Sequence, residues 1–408
     1  MNKTQKNIVW GLLGLLLFCI SLFRIEFFTQ SEFTVLLMKI WTPASVLLMV
    51  VAGGHLFKVH WLWVLLPVLA IEMGVFTILQ LAKHRVELPS KLLYFAREIY
   101  SVNERNISSF NENLGHYDST LFYTLKPGKH TFDNLEFSTT MKVNQAGFRD
   151  DEASMERPSI VCLGDSYAMG WGVEAEEAYP DLLEKKLDRR TLNLGMASYG
   201  TAREYVAFKK FVPQGCDLVI LQYCGNDEDE NAAFIKNNFQ LQVSPEAQYR
   251  TAQLNNKLWR SYFPLKYFYA ALSFCARESR RWLARHPENE LATHSSSLVA
   301  MGKAPEWTEH LFKILALLKT SHAGKIIVFH VDSNETPPDY RRQLESWLSV
   351  NQMDGVYIFP ADTYLTKEDY FVLDDHLNPG GHRKLAEALA KFINDKHIFN
   401  PSPSLPGK

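Results

Sequence analysis

Two short runs hold residues able to perform acyl transfer. Near the C-terminus, Asp374-Asp375-His376-Leu377-Asn378-Pro379-Gly380-Gly381-His382 gathers carboxylates and imidazoles, and Gly164-Asp165-Ser166 stands far earlier in the chain. An alcohol is a poor nucleophile until a base takes its proton, and a carboxylate decides which imidazole nitrogen does so. Asp374 and His376 are two apart, so in extended backbone their side chains leave the same face. Ser166, His376 and Asp374 are the candidate nucleophile, base and orienting acid, with Asp375 also open as the acid. Asp165 reads as a turn residue that holds Ser166.

The elements around these runs are those a parallel sheet requires. Ser159–Leu163 is a short apolar run that reads as a buried strand and delivers Ser166 at the turn leaving it. A second such run closes on Asn193-Leu194-Gly195, and a third, Leu218–Leu221, is followed by Gly225-Asn226-Asp227. Strands at Lys325–His330 and Val356–Phe359 follow, with helices near 175–189, 202–212, 306–320 and 337–350 between them. A last helix opens at Asn378-Pro379, with Asn378 as cap and Pro379 in the first turn, and runs to about Asn394. Five strands with interleaved helices predict a flavodoxin-like three-layer α/β domain. Ligands collect at the C-terminal ends of such strands. A backbone N–H at Gly195 and the Asn226 amide, with the Ser166 N–H, would form an oxyanion hole there, each donor worth about 2.7–4 kcal/mol.

These four blocks, in this order, resemble the SGNH (GDSL-type) hydrolase superfamily over roughly residues 159–396. The resemblance makes Ser166 the nucleophile, His376 the base, and Gly195 and Asn226 oxyanion donors. Many members place the acid three residues before the histidine, a position held by Leu373 here; Asp374 matches the Asp-x-His-x-Asn form of relatives that act on acetylated polysaccharides. The run Asn144-Gln145-Ala146-Gly147-Phe148-Arg149 resembles one that often precedes the Gly-Asp-Ser strand. There Phe148 is expected to pack and Arg149 to pair with a carboxylate.

The first eighty residues differ in kind. Ile8–Phe23, Phe33–Val51 and Trp61–Leu81 are nearly all apolar, each close to the roughly 20 residues a membrane span needs. Tryptophans stand near several ends, while Lys39, Pro43 and Glu72 interrupt the second and third runs. Three spans are expected, over one anchor followed by a buried hairpin. Lys3 and Lys6 place the N-terminus inside, so the catalytic region would lie outside a bacterial-type inner (cell) membrane. The divisions expected are a transmembrane region 1–85, a connector helix and β-rich extension 86–158, the hydrolase domain 159–398 with an insertion at 228–304, and a tail 399–408.

Net charge is −2 over 408 residues, so no global field argues for a nucleic-acid partner. Five cysteines show no metal spacing. No cofactor or metal is needed for the chemistry, and Asp227–Glu230 with Asn231 reads as a solvated acidic loop. His330 reads as structural and His382 as a solvated or capping residue. Within the insertion, Arg250 to Arg285 holds eight basic residues against one acid, Glu278, interleaved with aromatics. That pattern suits an anionic membrane surface or acidic glycan, or equally a lid helix with its aromatics turned inward. The expected function is a membrane-anchored serine esterase acting on acyl, chiefly O-acetyl, esters of a glycan or lipid-linked substrate. The alternatives are an O-acyltransferase of surface polysaccharides using the same triad and a membrane-bound acyl-donor partner, and a catalytically silent binding module.

Overall fold

The computed structural model describes residues 2–23, 25–284, 306–321, 324–332 and 340–399. The remainder of the expected insertion, the start of the helix expected at 337–350 and nearly all of the expected tail lie outside the described residues. The chain opens with α1 (Lys3–Phe23), a single turn α2 (Ile25–Phe28), α3 (Glu32–Leu56) and α4 (Trp61–Lys83). Ser31 caps α3 by accepting from the Thr34 N–H, while Thr34 returns a bond to the Ser31 N–H. The helices α1, α3 and α4 are long and apolar enough to cross a membrane. Leu12, Leu16, Leu36, Ile40, Trp63 and Leu66 are each more than half exposed. An apolar surface of that extent suits lipid rather than water, since helices satisfy their own backbone in hydrocarbon.

The amphipathic helix α5 (Ser90–Asn103) follows, where the spacing of apolar residues predicts it. It lays Ala96, Ile99 and Tyr100 against Val75, Leu79 and Ala82 of α4. Two antiparallel hairpins come next, β1 (Gly115–Asp118) with β2 (Phe122–Leu125), and β3 (Gly128–Asp133) with β4 (Ser138–Val143).

The main sheet joins β5 (Ile160–Leu163), β6 (Thr191–Asn193), β7 (Leu218–Tyr223), β8 (Lys325–His330) and β9 (Val356–Ile358), all parallel, in the order β6-β5-β7-β8-β9. This is the flavodoxin-like order, with a topological switch beside β5. Alternate side chains point to opposite faces. Val161, Leu163, Val219 and Leu221 pack with residues of α8 (Thr201–Phe211), α12 (Glu306–Ser321) and α13 (Tyr340–Asn351). Ile160, Cys162, Leu218 and Ile220 pack with α7 (Tyr179–Leu187) and α14 (Pro379–Asp395). The three layers expected from the strand and helix pattern are therefore present.

The insertion forms α9 (Glu228–Lys236), α10 (Glu246–Arg260) and α11 (Lys266–Ala284). Several of its aromatics turn inward, but onto the apolar N-terminal helices, while Tyr262 and Trp282 stay exposed. Trp259, Phe263 and Tyr269 share a cluster with Phe18, Met38 and Val46. Tyr267 and Ala270 join Val75 and Leu79 of α4. Several of the basic residues are paired, Lys257 with Glu32 and Glu112, and Arg281 with Glu98 and Glu278. Rather than a free lid, the described part of this segment joins the sheet domain to the helical bundle.

Because α1, α3 and α4 are long and apolar enough to cross a membrane, the protein should remain in the membrane pellet after alkaline carbonate washing and enter solution only with detergent. Release by carbonate alone would contradict the spans.

Candidate active site

The turn after β5 requires Gly164. Its φ is +152°, and a Cβ there would lie 2.5 Å from Gln222 Oε1 and 2.7 Å from Ala168 Cβ. The Asp165 carboxylate then accepts from the Tyr167 N–H at 3.0 Å and caps the short helix α6 (Ser166–Met169), the turn role its position suggested. Burial raises the Asp165 pKa to about 6. Ser166 is thus the first residue of a helix, and its N–H has no intrahelical acceptor.

His376 arrives from the loop before α14. That loop is held by Asn378, which accepts from the N–H groups of Gly380 and Gly381 and donates to the carbonyls of Glu368 and Tyr370. The cap and first-turn proline read from the sequence are in place. Ser166 Oγ and His376 Nε2 are 2.5 Å apart, and His376 Nδ1 bonds to Asp374 Oδ1. Trp171 stacks on the imidazole with ring centroids 5.0 Å apart, and Tyr167 flanks it at 4.9 Å. Of the two acids, Asp374 is fully buried and in direct contact. The Asp375 side chain is 44% exposed, with its oxygen 3.4 Å from Nδ1.

A buried carboxylate must be compensated. Asp374 Oδ2 accepts from the Tyr100 phenol at 2.5 Å and from the Trp171 indole at 3.1 Å, while Arg105 Nη2 is 3.7 Å from Oδ1 and 2.6 Å from Asp375. Burial alone would raise its pKa. The Arg105 charge, His376 and the hydrogen bonds to His376 and Tyr100 outweigh that and hold Asp374 well below the usual carboxylate range. The backbone at Asp374 is pinned as well, since Glu136 accepts from the N–H groups of Val372, Leu373 and Asp374 at 2.7–2.8 Å. Tyr100, Arg105, Glu136 and Trp171 were not singled out from the sequence as site residues; they come from α5, the segment after it and the loops, and no local motif joins them to Asp374.

Several expectations change. Arg149 does not pair with a carboxylate. It is buried beneath the loop that carries Ser166 and donates to the carbonyls of Met169, Gly170 and Val173 and to that of Thr140. Phe148 is fully buried as expected. His382 is not solvated, because α14 packs on α7, and its capping role falls on the start of that neighbouring helix. It is buried, accepts from the Tyr179 N–H at 3.3 Å, and has its pKa driven down to about 3 by burial. Asp227–Asn231 is not a solvated loop. It opens α9 against the N-terminus of α8, where Thr201 donates to Asp227, Gly200 N–H to Glu230 and Ala202 N–H to Asn231. Free N–H groups at a helix start attract such acceptors. His330 stacks on Tyr340 at 4.1 Å, within an aromatic cluster that includes Tyr223.

The oxyanion residues are less straightforward. A Cβ on Gly195 would lie 2.3 Å from the Met169 nitrogen, so that backbone passes close behind the short helix that carries Ser166. Its N–H, however, donates to Asn193 Oδ1 at 2.9 Å, while the Asn193 N–H donates to Asp150 at 2.7 Å. Asn226 is exposed on the turn Gly225–Asp227 at the C-terminal end of β7. The donor atoms of Asp374, Asp375 and His376 lie within 4.8 Å of one another, a spacing a cation could use. Tyr100, Trp171, Arg105 and Ser166 already engage them, so hydrogen bonding and ion pairing account for the cluster. A cleft of about 740 Å³ lies between Ser31, Glu112, Tyr117 and α10, and none of Ser166, His376 and Asp374 lines it.

No family model matches the chain, and no curated protein matches it. Among solved structures it is similar to a lipolytic protein of the G-D-S-L family from Desulfitobacterium hafniense, at 13% identity and TM-score 0.33, covering 57% of this chain and 97% of that one. A G-D-S-L lipolytic protein from Veillonella parvula matches at 12% identity and TM-score 0.33, over 58% and 97% of the two chains. A carbohydrate esterase family 2 enzyme with a carbohydrate-binding domain, from Corynascus thermopiles, matches at 12% identity and TM-score 0.33, over 59% and 66%.

Asp150 gives a test of the support behind Gly195. Burial raises its pKa from 3.8 to about 7. Between those values the unfolded chain releases the proton and the folded chain keeps it, so this group's stabilisation is full below pH 4 and is lost as pH rises through 7. The slope is at most about 1.4 kcal/mol per pH unit. Asp150→Asn should flatten thermal stability between pH 4 and 7 in detergent; an unchanged slope would contradict the assignment.

Proposed function

We propose that this protein is a membrane-anchored serine esterase, and the observation that carries the reading is the Ser166–His376–Asp374 chain with its buried, charge-compensated acid. Ser166 Oγ attacks an ester carbonyl as its proton passes to His376 Nε2. Asp374 holds the other imidazole nitrogen and stabilises the imidazolium. The Ser166 N–H, the Asn226 amide and the Gly195 N–H, on leaving Asn193, receive the oxyanion. Collapse expels the alcohol, which takes the proton back from His376, and water repeats the sequence to free the acid and the enzyme.

The substrate we assign is an O-acetylated glycan or a lipid-linked glycan ester. Two features support it: the Asp-x-His-x-Asn form of the histidine block, and the place of the site on the apolar bundle. Leu373, beside Asp374, packs in one cluster with Val75, Leu79 and Ala82 of α4. That position suits a substrate held at a membrane surface. With Lys3 and Lys6 inside, the site faces outward from a bacterial-type cell membrane.

Fluorophosphonate labelling of membranes bearing the full chain tests the reading. Wild type should label, and Ser166→Ala and His376→Ala should not. Asp374→Asn should slow labelling about 10⁴-fold, and Tyr100→Phe, which removes one hydrogen bond to a charged acceptor, about 10–100-fold. A folded wild type that does not label would overturn the esterase reading.

A further inference from the structure

Buried charge accumulates where the helical bundle meets the triad. Lys266, the first residue of α11, is 1% exposed, and its Nζ lies 2.6 Å from Glu104 Oε1 and donates to the Trp259 carbonyl. Glu72, midway along α4, is buried too. It accepts from the Phe268 N–H at 2.7 Å and from the Tyr262 phenol at 3.2 Å. An ionisable residue in the middle of a membrane span is costly to keep and ordinarily marks function. A lysine with so little exposure likewise needs its partner, since an unpaired buried charge is strongly destabilising.

Glu104 is not an isolated partner. It follows the last residue of α5, and its N–H and that of Arg105 both donate to the Tyr100 carbonyl, at 2.9 and 2.8 Å. The same Tyr100 gives its phenol proton to Asp374, and Arg105 reaches Asp375 and Asp374. One turn of backbone therefore carries both groups that compensate the triad acid from α5, and Lys266 grips that turn from the side of the membrane helices.

We propose that Lys266 and Glu104 are positioning residues: seated on α4 through the contacts of Glu72 with Tyr262 and Phe268, their ion pair fixes the end of α5 and thereby sets where Tyr100 and Arg105 meet Asp374. The proposal rests on the triad reading above. It makes the helical bundle part of the active-site scaffold as well as an anchor, because the geometry of the acid depends on where α4 and α11 sit.

The test is the fluorophosphonate labelling rate per folded molecule in the full-length membrane protein. Lys266→Met should label about 10–100-fold more slowly than wild type, since small misplacements of catalytic groups cost this much. Lys266→Arg, which keeps the charge, should restore the rate to within about threefold of wild type. Glu104→Gln, which retains a polar group beside Lys266, carries the comparison if Lys266→Met fails to accumulate, and should be slowed in the same direction. A wild type that labels alongside Lys266→Met or Glu104→Gln at an equal rate would overturn the positioning role and leave the triad reading intact. Equal slowing in Lys266→Met and Lys266→Arg would also overturn it, because the charge would then not be the cause. Failure of wild type to label would strike the triad reading instead.

Discussion

The carboxylate of Asp374 is fully buried, and the surrounding structure is arranged to make that tolerable. A lone charge in such a place would take up a proton, and a protonated acid would no longer stabilise an imidazolium. Four groups prevent it. The His376 imidazole, the Tyr100 phenol and the Trp171 indole donate to its oxygens, while the Arg105 guanidinium supplies positive charge nearby. Glu136 fixes the backbone that carries the carboxylate. Because these groups come from α5 and the segment after it, the β3–β4 hairpin, the loop after Ser166 and the final loop, Asp374 is also the point where distant parts of the chain are forced into register.

The loop that carries Ser166 is held from beneath by a different device. Arg149 is buried and spends its guanidinium on carbonyls of residues 169, 170 and 173. Those carbonyls lie at and just beyond the end of a short helix closed by Gly170 in the left-handed conformation, and a buried cation satisfies them together. Burial pulls the Arg149 pKa down to about 10, which leaves it charged at neutral pH. Ser166 is thus presented by a turn supported on one side by Arg149 and on the other by Gln222, whose side-chain oxygen accepts from the Asp165 N–H.

Much of this was legible in the sequence, for reasons that can be named. The five strands are short apolar runs bounded by turn residues, and buried parallel strands have that pattern. Asp374 and His376 are two apart in one short loop, so their joint approach to Ser166 required only that the sheet order be guessed. Tyr100 and Arg105 were hidden because amphipathic spacing accounts for α5 without any polar role, and nothing in it marks one tyrosine as facing a carboxylate 274 residues away. The acidic run at Asp227 misled for a related reason. Composition alone suggested solvent, whereas the start of α8 supplies N–H groups that draw those side chains inward. The basic, aromatic insertion was open to several partners by composition; the partner in the structure is the chain's own apolar helices.

The central claim is that Ser166 is a nucleophile made competent by His376 and the compensated Asp374. Rapid quenching of the detergent-solubilised full chain with p-nitrophenyl acetate, followed by peptide mass spectrometry, tests it most directly. The account predicts a burst of nitrophenol and a transient acetyl group on the peptide bearing Ser166, absent in His376→Ala. Folded protein that shows neither a burst nor acetylation at Ser166 would contradict it.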